Sequence, residues 1–166
     1  GLYHIENLTP EAKELGASLV APGAKVYVID DAELKRVQDN YPVIWKDPNA
    51  KPKLCFIGCP HMSLQQLKDW TVAVEECLKA AGNTKVQIPT VFTTAPAVKE
   101  VFEQTPYAKR LKDTGVILSY ICPLMYMNNP LAGKMPVITC SNKLRTYTTA
   151  RYYTEAEILE KITKGA

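Results

Sequence analysis

Residues 54–63 read LCFIGCPHMS, an apolar run of five residues followed by a Cys-Pro-His segment. The apolar run, residues 54–58, is nearly continuous instead of alternating, which is typical of a strand covered on both faces of a parallel sheet. Ser63 and Gln66 then form a capping box, and apolar residues recur at helical spacing until Gly82. This stretch predicts a strand, a short connection and a well-capped helix.

The same order of strand and helix recurs along the chain. Four further runs of β-branched and aromatic residues are predicted strands: residues 25–29 (KVYVI), 90–93 (TVFT), 115–120 (GVILSY) and 136–139 (PVIT). Predicted helices begin at capping residues or prolines near positions 9, 30, 94, 105 and 154. Such alternation predicts one three-layer α/β/α domain over residues 1–166, with a mostly parallel sheet of about five strands.

The composition excludes several classes of protein. The chain has 166 residues, 46% of them apolar and 22% charged, with a net charge of +3, so it is too apolar and too weakly charged to be disordered. A charge this close to neutral, without a basic run interleaved with aromatics, predicts no nucleic-acid partner. Residues 115–133 carry no charge, but prolines, asparagines and a glycine interrupt them, so we expect no membrane span. The first residues lack the pattern of a signal peptide, and we expect a cytoplasmic protein.

Five cysteines are present, an odd number with wide spacing, which indicates reduced thiols rather than a disulfide framework. Cys55 within a predicted strand and Cys77 on a predicted helix are interpreted as packing residues. Cys59, Cys122 and Cys140 instead follow predicted strands, where open parallel sheets bind their ligands.

Two Cys-Pro dipeptides, at Cys59 and Cys122, follow two different predicted strands, so both sulfurs could face one crevice. A shared metal or cluster is one interpretation, since proline often stands beside iron–sulfur ligands. Inert thiols are a second, and a cysteine nucleophile with His61 as its base is a third. His4 and His61 are the only histidines, which excludes a multi-histidine zinc or iron site within this chain.

Residues 141–147 (SNKLRTY) place a hydroxyl, an ammonium and a guanidinium beside the same predicted edge. Ser141, Lys143 and Arg145 could bind a carboxylate or a phosphate there. The alternative is an ordinary capped helix start whose basic residues are solvated. The motifs of phosphate loops, dinucleotide folds, serine hydrolases and zinc proteases are absent from the sequence.

Two segments resemble the aconitase X family. Residues 4–12 (HIENLTPEA) are similar to its GvTPEA stretch, and residues 57–64 (IGCPHMSL) are similar to its iGCPHaSl signature. Cys122, a Ser-x-Lys segment and a C-terminal helix then follow in the family order. The resemblance extends over essentially the whole chain and places it in the C-terminal portion of a large catalytic subunit. We therefore expect the chain to be part of a longer protein.

The resemblance implies a hydro-lyase that dehydrates a hydroxy acid at an iron–sulfur cluster, either 4Fe–4S or 2Fe–2S. It assigns Cys59 and Cys122 as two cluster ligands, with a third thiolate from the remainder of the large subunit, and it predicts no ligand at Cys140. The expected substrate is cis-3-hydroxy-L-proline, with 5-phosphomevalonate as the alternative. The expected partners are the remainder of the large subunit and a small swivelling subunit, so the isolated chain is expected to be inactive.

The resemblance also implies roles for polar residues. His61 would orient or protonate the leaving hydroxyl, and Ser141 would act as a base if neighbours such as Lys143 activated it. Contacts to the acid group are expected from four residues, namely Ser63, Lys143, Arg145 and Tyr147. A non-enzymatic α/β ligand-binding domain with incidental cysteines is the alternative from another functional class.

Overall fold

A sheet of five parallel strands organises the protein, as shown by a computed structural model that describes residues 3–165. The strands are β1 (Leu54–Met62), β2 (Thr90–Thr94), β3 (Ile117–Ser119), β4 (Val137–Thr139) and β5 (Arg151–Tyr152). Their order across the sheet is β3-β2-β1-β4-β5, and every pairing is parallel. The predicted α/β fold with a parallel sheet of about five strands is therefore confirmed.

The helices that follow β1 cover both faces of this sheet. In chain order the helices are α1 (Pro10–Leu15), α2 (Asp31–Asp39), α3 (Leu64–Ala80), α4 (Pro96–Glu103), α5 (Pro106–Asp113), α6 (Pro123–Met127), α7 (Asn142–Tyr147) and α8 (Glu155–Lys164). Cys55 and Ile57 pack into a larger core with α3, α4, α5 and α8, whereas Phe56 between them packs into a smaller core with α6 and α7. This alternation follows from the pleat of the strand.

The starts of two helices agree with the capping residues in the sequence. The Ser63 hydroxyl accepts a hydrogen bond from the Gln66 N–H (3.2 Å), and the Gln66 side chain accepts one from the Ser63 N–H (2.8 Å). Thr154 and Glu157 form the same reciprocal pair at the start of α8. Both predicted capping boxes are confirmed, because such a cap depends only on two residues three positions apart.

The predicted strand at residues 25–29 is wrong. Its apolar side chains are exposed, from 67% at Ile29 to 88% at Val26, and no strand of the described residues pairs with it. Strand propensity measures how well a side chain fits a half-buried pleated surface. Without a paired neighbour, these β-branched residues remain outside the sheet. The fifth strand is instead β5, a two-residue strand that pairs with β4.

The sheet lies entirely within one of two compact units. One unit extends to Asn40 and contains α1, a 3-10 helix (Gly16–Leu19) and α2, and the other begins at Tyr41 and contains all five strands. That residues 1–166 form one domain therefore stays a prediction. Among the described residues, no helix is both long and apolar enough to cross a membrane.

The sequence predicts that strand β1 ends at Gly58. In the structure, the strand continues to Met62. Between Ile57 and Met62, four residues of β1 lie opposite the single residue Thr93 of β2. We refer to these four residues, 58–61, as the β1 bulge. The extra residues displace the Cys-Pro-His segment from the regular ladder, and the peptide bond before its proline is cis.

Gly58 permits this bulge because Thr93 lies against its Cα. Gly58 has a φ of +106°. A Cβ at this position would overlap the Thr93 carbonyl oxygen and would lie 2.7 Å from the Thr93 hydroxyl oxygen. The Thr93 hydroxyl donates a hydrogen bond to the Gly58 carbonyl (2.6 Å). Both space and backbone conformation therefore require glycine here.

We expect Gly58→Ala to lower the free energy of unfolding by about 3 kcal/mol, because overpacking against a backbone atom adds to the left-handed strain. Gly82→Ala is the matched control. Gly82 also has a positive φ, +70°, but has open space around it, so only about 1 kcal/mol of strain is expected. Urea unfolding followed by tryptophan fluorescence measures both values. Equal losses in the two variants would show that Thr93 does not constrain Gly58.

Candidate functional site

The carboxyl ends of β1, β3 and β4 bring three of the predicted site residues to one edge of the sheet. Cys59 lies in the β1 bulge, Cys122 immediately precedes α6, and Ser141 immediately precedes α7. Cys122 and Ser141 are both near enough to Cys59 to change the pKa of its thiol. Two thiols and one hydroxyl thus lie together where open parallel sheets bind ligands.

The Cys59 thiol is buried and stays protonated in this environment. Burial is the largest cause of its raised pKa, and the neighbouring Cys122 raises the pKa further. The Lys143 ammonium acts in the opposite direction, because its positive charge favours the thiolate. A metal ion that binds Cys59 has to displace the proton, so its affinity would depend on pH.

Cys122 is half-buried, and its thiol is free. The turn that carries it is held by Ser119, the last residue of β3, whose hydroxyl accepts a hydrogen bond from the Ile121 N–H (3.1 Å). The same hydroxyl lies 3.1 Å from the Tyr126 hydroxyl on α6. The Tyr126 ring stacks on Phe56 with ring centroids 5.3 Å apart. The position of Cys122 is therefore tied to the smaller core.

Ser141 is buried and uses its hydroxyl within the fold. The hydroxyl donates a hydrogen bond to the Cys59 carbonyl and accepts one from the Leu144 N–H (3.0 Å), so it caps α7. The Ser141 N–H donates to the Thr139 hydroxyl (3.0 Å). A hydroxyl whose proton and acceptor position are both engaged in this way is poorly placed to act as a general base.

Lys143 and Arg145 both lie on α7, but their surroundings differ. Lys143 is exposed, and its charge acts on the Cys59 thiol. Arg145 donates two hydrogen bonds to the side-chain oxygen of Asn142 (2.8 and 3.0 Å), and its guanidinium lies 3.8 Å from the ring centroid of Tyr41. Of these two cations, Lys143 is the more exposed to an incoming anion, because contacts within the fold hold the half-buried Arg145.

The other three predicted site residues are exposed. His61 lies in the β1 bulge, Ser63 caps α3, and Tyr147, at the end of α7, is 71% exposed. Among the described residues, no hydrogen bond joins the His61 imidazole to the Cys59 thiol. Within the described residues, the arrangement therefore does not form the close thiol–imidazole pair that a cysteine nucleophile needs.

Cys55 and Cys140 belong to the other side of the sheet. Both pack in the larger core, whereas Cys59 packs in the smaller core on the opposite face. Cys55 is fully buried, and burial raises its pKa. Burial also raises the pKa of Cys140 to about 12, with a further contribution from the Glu155 carboxylate. Cys140 therefore does not join the pair formed by Cys59 and Cys122.

Sequence reasoning missed two residues at the end of β2. The Thr93 hydroxyl donates to the Gly58 carbonyl (2.6 Å), and the Thr94 hydroxyl donates to the Met62 carbonyl (2.6 Å). The available signal was a pair of threonines at the end of the β2 strand, after Val91 and Phe92. A buried hydroxyl must find a hydrogen-bond partner, and these two find theirs around the β1 bulge.

The donor set at this edge consists of two thiols, Cys59 and Cys122. Thiolates are the characteristic ligands of iron–sulfur clusters. Within residues 3–165, no group of three or more His, Cys, Asp or Glu side chains converges on one point. The two thiols fit part of the ligand set of a cluster, and a complete set requires a ligand from outside the described residues.

Comparison with known proteins gives an independent finding. Residues 52–162 match the family described as aconitase X third domain. Over 133 residues, the chain is 28% identical to the phosphomevalonate dehydratase large subunit of Thermococcus kodakarensis. That match covers 80% of this chain and 30% of the relative.

A solved structure shares the fold. The crystal structure of Thermococcus kodakaraensis aconitase X in its holo-form matches with a TM-score of 0.62 and 22% sequence identity, over 84% of this chain and 36% of that chain. At this identity, the likeness shows the fold alone. The chain spans about a third of the length of the relatives that it matches.

The pKa of about 12 at Cys140 predicts that this thiol resists alkylation. The thiolate is the nucleophile, so at about pH 8 only about one Cys140 in ten thousand is reactive, and the rate should rise about tenfold per pH unit up to the pKa. Iodoacetamide labelling with peptide mass spectrometry should therefore modify Cys122 well before Cys140. Labelling in urea, where all thiols are accessible, is the control. Equal labelling of the two thiols in the folded chain would contradict the burial of Cys140.

Proposed function

The chain belongs to the aconitase X family, and from this we propose that it forms part of an iron–sulfur-dependent hydro-lyase that removes water from a hydroxy acid. The observation that carries the proposal is the position of Cys59 and Cys122 at the carboxyl edge of the sheet, where Cys122 is near enough to raise the pKa of the Cys59 thiol. The relative named as a dehydratase large subunit supports the reaction class. Ligands of open parallel sheets bind at this same edge.

Cys59 and Cys122 would hold the cluster together with a thiolate from the remainder of the large subunit. When bound, a cluster with an iron position not filled by protein supplies a Lewis acid for the leaving hydroxyl. Both 4Fe–4S and 2Fe–2S clusters agree with thiol donors. Because burial keeps the Cys59 thiol protonated, its ligation releases a proton.

The polar residues of this chain would bind and orient the substrate. Lys143, whose ammonium acts on Cys59, would attract the carboxylate of the hydroxy acid. His61, exposed in the β1 bulge, would orient or protonate the leaving hydroxyl. The base that removes the carbon-bound proton would come from another part of the complex, because the Ser141 hydroxyl is engaged within the fold. Further substrate contacts are proposed for Ser63, Arg145 and Tyr147.

Two substrates of this chemistry are candidates. The sequence resemblance predicts cis-3-hydroxy-L-proline. The name of the curated relative favours 5-phosphomevalonate as a second candidate. The proposed partners are the remainder of the large subunit and a small swivelling subunit, which agrees with a relative that is itself named a large subunit. A cytoplasmic location, where thiols stay reduced, completes the proposal.

Cysteine variants test the proposed ligands. We expect Cys59→Ser and Cys122→Ser to remove most of the iron and the visible absorbance from the complete large subunit, purified anaerobically with its small subunit, because each variant removes one thiolate ligand. Cys77→Ser is the matched control, since Cys77 lies half-buried on α3, away from the site edge. Full iron content in the Cys59 or Cys122 variant would contradict the assignment of that residue.

Substrate assays test the reaction. The anaerobic complex is expected to dehydrate cis-3-hydroxy-L-proline, and the isolated 166-residue chain is expected to be inactive because it lacks part of the ligand set. Parallel assays with 5-phosphomevalonate discriminate between the two candidates. If the complex dehydrates only 5-phosphomevalonate, that compound is the substrate and cis-3-hydroxy-L-proline is not. A cluster-loaded complex that dehydrates neither compound would contradict the proposed substrates. A complex without a cluster would favour a ligand-binding domain with incidental cysteines.

A further inference from the structure

Three carbonyl groups in and beside the β1 bulge accept hydrogen bonds from side-chain hydroxyls. The Gly58 carbonyl accepts from Thr93, the Cys59 carbonyl accepts from Ser141, and the Met62 carbonyl accepts from Thr94. We refer to the three donors, Thr93, Thr94 and Ser141, as the hydroxyl clamp. The clamp holds the chain at Cys59 itself, at Gly58 just before it and at Met62 three residues after it.

The hydroxyl clamp is rigidly placed. All three of its side chains are buried. Thr93 and Thr94 end β2, on one side of β1, and Ser141 follows β4, on the other side. The bulge is therefore held from both neighbouring strands. A displacement of the Cys59 backbone would leave a buried hydroxyl or a buried carbonyl without its partner, which is costly.

Ser141 also connects the site to α7. Its hydroxyl donates to the Cys59 carbonyl and at the same time accepts from the Leu144 N–H in the first turn of α7. Lys143, whose charge acts on the Cys59 thiol, lies in that same turn. One buried hydroxyl thus joins the backbone of Cys59 to the helix turn that carries Lys143.

We propose that Thr93 and Ser141 are positioning residues that hold Cys59 in the orientation required for cluster ligation. This inference rests on the proposed function, because it assumes that Cys59 is a ligand. Residues that orient a metal ligand without touching the metal contribute about 10- to 100-fold to metal affinity. Ser141 acts through the main chain of Cys59 and does not remove a proton from the substrate.

The test measures how fast bathophenanthroline disulfonate removes iron from the anaerobic complex, followed by visible absorbance. Thr93→Val and Ser141→Ala should lose the cluster about 10- to 100-fold faster than the unmodified complex. Thr93→Ser retains the hydroxyl and should restore the slow rate. If Thr93 and Ser141 affected only stability, the two controls described next would also lose iron faster, because they too remove a buried hydroxyl or a helix cap.

Two controls match these variants. Thr90→Val removes a buried hydroxyl from the opposite end of β2, where Thr90 donates to the Ile88 carbonyl (2.8 Å). Thr154→Ala removes a helix cap from α8, as Ser141→Ala does from α7. Both controls should lose iron at the rate of the unmodified complex. Cluster loss from Thr93→Val and Ser141→Ala at that same rate would overturn the inference.

A second measurement separates the inference from the proposed function. In the protein without a cluster, peptide mass spectrometry follows the labelling of the buried Cys59 thiol by iodoacetamide. Thr93→Val should label Cys59 faster, because the bulge is less firmly held, and Thr93→Ser should label it at the original rate. If the complex holds no cluster, the proposed function fails, and faster labelling of Thr93→Val still supports a role in positioning Cys59. An unchanged labelling rate in Thr93→Val would overturn that role in either case.

Discussion

The close approach of Thr93 to the Cα of Gly58 is the contact on which the candidate site depends. Four residues of β1 lie opposite Thr93 alone, and the positive φ of Gly58 starts this departure from the ladder. The bulge displaces Cys59 and His61 from the regular strand without breaking the sheet, because pairing with β2 resumes at Met62. A loop would give the cysteine far more freedom, whereas a bulge in a central strand holds it on a rigid element.

The pleat of the central strand separates the cysteines into two groups. Cys55 faces the larger core with Cys140, where burial raises the pKa of both thiols and suppresses their reactivity. Cys59 packs in the smaller core on the opposite face, near Cys122. The helices that cover this face, α6 and α7, have only 5 and 6 residues. Cys59 and Cys122 therefore lie toward the face of the sheet that short helices cover.

The sequence predicted correctly those structural features that involve only residues close together in the chain. The strand at residues 54–58 and the caps at Ser63 and Thr154 were predictable because each involves only a short stretch of chain. The strand predicted at residues 25–29 failed because pairing, and not composition, makes a strand. The engaged state of Ser141 was not predictable either, since its hydroxyl meets a carbonyl 82 residues away in sequence.

Anomalous diffraction at the iron edge from crystals of the complete large subunit with its small subunit would test the central claim most directly. The account predicts iron within bonding distance of the Cys59 and Cys122 sulfur atoms, at the carboxyl edge of the sheet and on the face covered by α6 and α7. Iron bound elsewhere, with both of these thiols free, would contradict it.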